Sequence, residues 1–505
     1  MPGLAKKPAG RLLTLLLAAV AVLGAPVLAG KALAQNVLTH HADNRRSGAF
    51  VTPELSWERA ASLVQQPGFA PRFDGNLYAQ PLYWKPGNRP DGLFVVASES
   101  DTVTAIDAGT GAVVWTRRIG TPVPLSAFPC GNIDPLGVTG TPVIDQATGT
   151  LYVAAMTATP AGPRQKLFAL SMADGAILPG WPVDVAEALR GLGQSFDSRV
   201  QNQRGALLLL NGTVYVPYGG FFGDCGDYHG WVVGVGARNP KQVAAWRTRA
   251  RGGGIWAPGG IASDGQALYV TTGNTEGAAA WADGEAVIRL SPDLRRTDDK
   301  TSFFAPRDWR ALDQRDADLG GSNPLLLDLP AGSGNQPTVL VLGKDQRAYL
   351  VDRRDLGGIG GAMAMETVAR YPIRTSPAAL GLNDTMLVAF QGRGAHCPAG
   401  GRGDLTVLRI SAAPSAGIGT AWCGAMSGGG APIVTTTDGT ANPIVWIVGA
   451  EGDNRLHGFR GDTGDKLFTS APLAGLRHFQ TLIAADNRLI VGADGRLYAF
   501  LLPRP

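Results

Sequence analysis

The stretch AIDAGTGAVVW, Ala105 to Trp115, decides the fold. It reads as the end of a strand running from Val103 to Ile106, a tight turn built from Asp107, Gly109 and Gly111, and a second strand ending on Trp115. Asp bonds the backbone just beyond it and Gly accepts a positive φ, so the turn chemistry is that of a β-hairpin. Degenerate copies recur along the chain, which makes the hairpin a repeat unit. A Trp at a repeat position is read as packing between units.

Working outward, strand-like runs fall into eight groups. They begin near Ala79, Thr141, Leu207, Ala257, Asn323, Ser376, Ala431 and Phe479. Each is expected to hold an outer apolar strand, a turn and an Ala/Val/Gly-rich strand. Gly is abundant (69 residues) and Pro frequent (35), and runs of good helix formers are scarce, so the chain reads as all-β. Units at intervals of roughly 45 to 70 residues suit an eight-bladed β-propeller of four-stranded sheets. Seven blades remain if one weak unit, the sixth, is irregular. The eighth unit stops after its third strand at Leu501. A segment between Val37 and Val64 is expected to supply the missing outer strand and close the ring, which removes an open sheet edge.

Residues 1–34 read as a secretory signal, leaving 35–505 as one propeller domain. Lys6, Lys7 and Arg11 give a basic start, Leu12 to Leu23 an apolar run, and Ala32-Leu33-Ala34 a small-residue cleavage site before Gln35. Pro26, Gly30 and Lys31 interrupt the run before it could span a bilayer comfortably. The expectation is a periplasmic or secreted protein with no stable membrane anchor after cleavage. The segment holds four basic and no acidic residues, so removing it takes the formal charge from +4 to zero. A neutral mature protein gives no support to a nucleic-acid partner. Cys130, Cys225, Cys397 and Cys423 are the only cysteines. An even count in an exported chain suggests two disulfides. Cys397 and Cys423 flank one hairpin-like stretch, which favours that pair and leaves Cys130 with Cys225. No Cys-x-x-Cys-His occurs, so no c-type haem site is expected.

Polar residues that break the repeat cluster from the third unit to the fifth. Asp224-Cys225-Gly226-Asp227-Tyr228-His229 comes first, then Gly254-Ile255-Trp256, Gly273-Asn274, Asp316-Ala317-Asp318 and Gly343-Lys344. Carboxylates with an amide oxygen suit a hard cation such as Ca2+. A Trp among glycines leaves a flat face for a planar ring. Plain structural readings stand beside these. Asp316 and Asp318 could cap turns, Asn274 could be a turn residue, Trp256 could be core, and Lys344 could pair with Asp345. His229 is expected to be structural, and Glu451 with Asp453 to hold a hairpin turn.

The Ala105–Trp115 wording resembles the repeat of the pyrroloquinoline quinone (PQQ) propeller proteins, in which the turn Gly and a Trp four residues later dock each blade on its neighbour. The order of the polar motifs is similar to that of the PQQ-dependent alcohol dehydrogenases. The resemblance implies Ca2+ ligands at Asp224 or Asp227 and at Asn274, and a quinone-stacking ring at Trp256. It implies a quinone-contacting base at Lys344, before Tyr349-Leu350-Val351-Asp352-Arg353, and a proton acceptor at Asp318 or Asp316. Arg204, in Asn202-Gln203-Arg204, either faces the channel, where it joins Trp256 and Lys344 as a cofactor-binding candidate, or orders its strand. The implied activity is oxidation of an alcohol or similar small molecule, with electrons passed to a separate acceptor. Two departures stand out: Cys130 has no adjacent cysteine, and the acidic calcium ligand is Asp where the family carries Glu. The chain looks closer still to exported PQQ-like repeat proteins of unsettled activity. The competing reading is a non-catalytic periplasmic scaffold or binding protein. The sequence says nothing of oligomeric state.

Overall fold

The structure is a computed structural model that describes residues 1–4, 36–87, 91–331, 334–382, 385–398, 401–412 and 416–503. Apart from its first four residues, the expected signal segment lies outside them. The chain divides into Met1–Leu33 and Ala34–Pro505. The second unit is an eight-bladed β-propeller, with one sheet per sequence group and the sixth as regular as the rest.

The first strand of each group is the inner one, not the outer one the sequence reading expected. Val143–Asp145 packs on Leu208–Leu210, and Ala262–Ser263 on Leu325–Ala331. Ala378–Leu382, Ile433–Thr436 and Leu482–Ala485 continue the ring, so the first strands meet one another around the axis. Leu82–Trp84 begins the first blade. Two sheets gain a fifth strand by parallel pairing, Gly358–Ile359 on Phe303–Ala305 and Ala49–Val51 on Ile433–Thr436.

The decisive hairpin forms as read. Thr102–Asp107 pairs with Val113–Arg118, and Asp107 accepts bonds from the backbone and hydroxyl of Thr110. Trp115 then docks on the next blade, its Nε1 donating to the Met172 carbonyl at 3.1 Å. A Cβ on Gly175 would lie 2.6 Å from that indole, so the turn of the receiving blade must be glycine. Trp422 repeats the contact, donating to Gly461 O at 2.9 Å in the following blade.

The ring closes as expected at its outer edge. Val64–Gln65 pairs antiparallel with Phe500 and Leu501, completing the last blade as its outermost strand.

The segment before that strand has a further role. Residues 37–51 enter the axis and touch all eight blades. Val37 bridges Tyr83, Leu38 O accepts from Ile144 N, and Asn44 Nδ2 donates to Leu209 O. The carbonyls of Asn44, Arg45, Ser47 and Gly48 accept from Ser263, Leu326, Ala379 and Val434, and His41 Nε2 lies 3.2 Å from Thr481 Oγ1. Buried Arg46 donates to the carbonyls of Ile261, Leu207 and His40 and to Thr39 Oγ1. Inner strands at a propeller axis leave polar backbone groups unsatisfied, and this axial segment supplies their partners. His40 and His41 stack at 4.4 Å within it. Burial, aided for both by the Arg46 charge, holds His40 well below the usual histidine range and His41 down to about 3, so the stack is neutral.

Candidate functional site

The segments that lead into the inner strands frame one end of the axis. Those of blades four and five carry Trp256, Asp316 and Asp318, and the turns after the second strands of the same blades carry Asn274 and Lys344. Trp256 Nε1 donates to Asp318 Oδ2 at 3.0 Å. Lys344 Nζ lies 2.7 Å from that same oxygen and 2.7 Å from Asp316 Oδ1. The ammonium stands 5.2 Å from the centre of the Trp256 ring. Asp318 Oδ1 accepts the Asn274 N–H at 2.9 Å. Gly273 permits this approach, because a Cβ there would come within 2.8 Å of Asp318 Oδ1.

Asp318 is therefore no turn cap. It is 2 % exposed and bonds across three segments. Asp316 caps the helix Trp309–Arg315 in a left-handed conformation (φ 49°), and its side chain is 61 % exposed. Lys344 pairs with these two carboxylates and not with Asp345, which instead bonds Arg347 and Tyr349. Its pKa is raised: burial pulls it down, but Asp318 and Asp316 outweigh that, so the ammonium keeps its charge.

Asp224 accepts the Tyr228 hydroxyl at 2.6 Å. Its pKa is raised by burial, opposed by that bond, and raised further by Asp318 and Asp316, which places it within their electrostatic reach. Asp227 does not join them. Its side chain is 84 % exposed and lies 4.0 Å from His229 Nε2. His229 is structural as expected, with Nδ1 3.0 Å from Thr248 O. The Asn274 carboxamide has no hydrogen-bond partner among the described residues.

Two parts of the site escaped the sequence reading. Glu285 lies behind Asp318, accepting Leu319 N–H at 2.6 Å, with Oε1 buried and unpartnered. Burial, then the Asp318 charge, raises its pKa well above the usual carboxylate range. In the sequence it is only a charge at the head of an apolar strand. The second part surrounds Arg204. Its guanidinium lies 5.7 Å from the ring centres of both Tyr78 and Phe479. Glu99 and Asp101, at the turn after Leu93–Ser98, are fully buried nearby in sequence. Burial pushes Glu99 up to about 7 against bonds from Gly137 N and Thr139 Oγ1.

The two expected disulfides are both present, Cys130–Cys225 and Cys397–Cys423. The first ties the loop between blades one and two to the blade-three loop that carries Asp224.

No family model matches the sequence, and no curated protein matches it. Solved structures do match the fold. The quinohemoprotein alcohol dehydrogenase from Comamonas testosteroni superposes with a TM-score of 0.64 at 16% identity, over 93% of this chain and 82% of that one. Quinohemoprotein alcohol dehydrogenase ADHIIG from Pseudomonas putida HK5 gives 0.64 at 14% identity, over the same shares. A europium-containing methanol dehydrogenase gives 0.60 at 13% identity, over 93% of this chain and 98% of that one. The chain has the eight-bladed propeller fold of the quinoprotein alcohol and methanol dehydrogenases.

Proposed function

We propose that this is an exported oxidoreductase whose axial mouth binds a planar quinone of the PQQ class and oxidises an alcohol or similar small molecule. The observation that carries the reading is Trp256, with its indole pinned by Asp318, its face partly open and an ammonium 5.2 Å from its centre. That combination suits a flat, anionic ring.

Among the described residues no three His, Cys, Asp or Glu side chains are already grouped to hold a metal ion, so a hard cation would draw its ligands together as it binds. Three carboxylates, Asp224, Asp316 and Asp318, share the neighbourhood with one ammonium, a surplus of negative charge. Asp224, Asp318 and the unengaged carboxamide of Asn274 would hold Ca2+. The quinone would lie against Trp256 with Lys344 at its edge. When bound, the pair supplies a two-electron acceptor polarised by a Lewis acid.

The chain's own residues do the rest. Asp318, sealed and bonded to three donors, fixes Trp256 and Lys344. Lys344 brings a permanent charge to the oxygen edge of a ligand. Asp316 is the open carboxylate and can take an alcohol proton as a general base. Electrons would pass to a separate acceptor. Two disulfides support an oxidising compartment. No helix among the described residues is long and apolar enough to cross a membrane.

The test is dye-linked alcohol oxidation by purified protein given PQQ and Ca2+. The reading expects turnover that Asp316→Asn and Asp318→Asn abolish. No turnover with any alcohol, together with co-purification of an envelope protein, would favour the scaffold reading.

A further inference from the structure

Beside Tyr78 and Phe479, which lead into blades one and eight, lies a charge with no hydrogen-bond partner among the described residues. Arg204 leads into the inner strand of blade three, deep in the protein, yet solvent still reaches part of it. Burial is the main influence on the guanidinium and pulls its pKa down to about 10, with Glu99 and Tyr78 acting against it. An arginine at that value is fully charged at neutral pH. Among the described residues none of its N–H groups has a protein acceptor, and Nη2 is sealed from solvent with no partner. Among the described residues no carboxylate lies within 4 Å of it.

The nearby carboxylates make no direct pair with it: Glu99 acts on Arg204 only through its charge, from beyond ion-pair distance. Glu99 spends both oxygens on Gly137 N and Thr139 Oγ1, each at 2.7 Å. Asp494 pairs with Arg477 at 2.7 Å, and Glu451 with His478 at 2.7 Å. Below Arg204, His40 is neutral and senses the positive charge of both Arg46 and Arg204. What Arg204 does have is two aromatic rings, Tyr78 and Phe479. Phe479 sits at φ 66°, a left-handed conformation that a bulky residue adopts only under constraint, and one that recurs at ligand sites. Cation–π contacts are a minor term against the desolvation of a charge. A guanidinium fork left open in this way matches a carboxylate, which takes two parallel N–H bonds.

We infer that Arg204, flanked by Tyr78 and Phe479, is a carboxylate-binding subsite of the mouth, so that the preferred small-molecule ligands are acids. The inference rests on the mouth being a ligand chamber, as proposed above, but not on a quinone being bound. The mouth is then polarised, acidic at Asp224, Asp316 and Asp318 and basic at Arg204. A small hydroxy acid would be oriented by that polarity, its carboxylate toward Arg204 and its hydroxyl toward the acidic side.

Glycerate and glycerol test this, since they share a skeleton and differ in the carboxylate. Each is titrated into purified protein without PQQ, followed by calorimetry and by the unfolding midpoint. Glycerate should bind and raise the midpoint, and glycerol should do neither. Arg204→Met, which keeps the length and loses the charge, should abolish the glycerate response. Arg204→Lys, a point charge without the fork, should weaken it by about tenfold or more. An equal response to glycerol, no response to glycerate, or a glycerate response retained in Arg204→Met would overturn the subsite. Should Arg204→Met fail to fold, the comparison of the two ligands on the unaltered protein and on Arg204→Lys still decides. A failure here leaves PQQ binding at Trp256 untouched, and a failure of PQQ to bind leaves the glycerate result standing.

Discussion

Asp318 shows how much one side chain can organise. Its two oxygens hold the Trp256 indole, the Lys344 ammonium and the Asn274 backbone. Replacing it with Asn leaves a buried ammonium short of an acceptor, an outcome of about 3 kcal/mol or more. Asp318→Asn should lower urea resistance by roughly that amount and remove most ligand affinity. The sequence exposed Trp256, Asn274, Asp316, Asp318 and Lys344 because each interrupts an apolar or glycine pattern. It hid Glu285, Glu99 and Asp101, because a carboxylate at the end of an apolar strand reads as a solvated turn. Asp101 offers a direct check. Both its oxygens are buried without partners, and burial, then the Glu99 charge, pushes it up to about 8. An unfolded Asp titrates near ~3.9. The folded state therefore holds more protons than the unfolded chain between about pH 4 and 8. Stability is greatest below that window and falls as pH rises through it, by up to ~1.4 kcal/mol per unit for one group. Glu99 acts in the same direction, with its pKa about 7. Urea midpoints should fall from pH 5 to pH 7.5, and Asp101→Asn should flatten the slope. An unchanged slope would show that Asp101 is ionised in the folded protein.

At the scale of elements, the Cys130–Cys225 bond matters more than its partner. It closes a separation of 95 residues, against 26 for Cys397–Cys423, and anchors the loop bearing Asp224. In the loop-entropy account such a link contributes about 4 kcal/mol. Cys130→Ser with Cys225→Ser should lose stability of that order and also weaken calcium binding at the mouth. Cys397→Ser with Cys423→Ser should destabilise while leaving the mouth unchanged. Calorimetric titration of both variants with Ca2+ separates the two effects. The pairing was legible because one pair flanks a hairpin. Cys130 was then left with Cys225 in the third unit, so its reach to the blade-three loop followed by elimination, since nothing local in Phe128-Pro129-Cys130-Gly131 points to a loop so far along the chain.

The whole molecule was legible as a propeller because its repeats announce it, with a turn, a docking aromatic and even spacing. The strand that closes the ring was legible too, from an eighth unit one strand short. The axial segment was not. His40 to Gly48 is a mostly polar segment with no strand pattern to place it, and its partners are single groups scattered over eight blades. Burying Arg46 with four acceptors makes the segment part of the fold itself. Arg46→Ala strands those acceptors and should cost about 3–5 kcal/mol, read as a lower urea midpoint with the strand circular-dichroism signal kept. With the axis filled from within, the proposed ligand site is the mouth. The central claim is that this mouth still holds a quinone. Purified mature protein titrated with PQQ, with and without Ca2+, and followed by tryptophan fluorescence, tests it most directly. The account predicts calcium-dependent quenching that Trp256→Ala removes. Absence of binding at tens of micromolar PQQ, or quenching unchanged in Trp256→Ala, would contradict it.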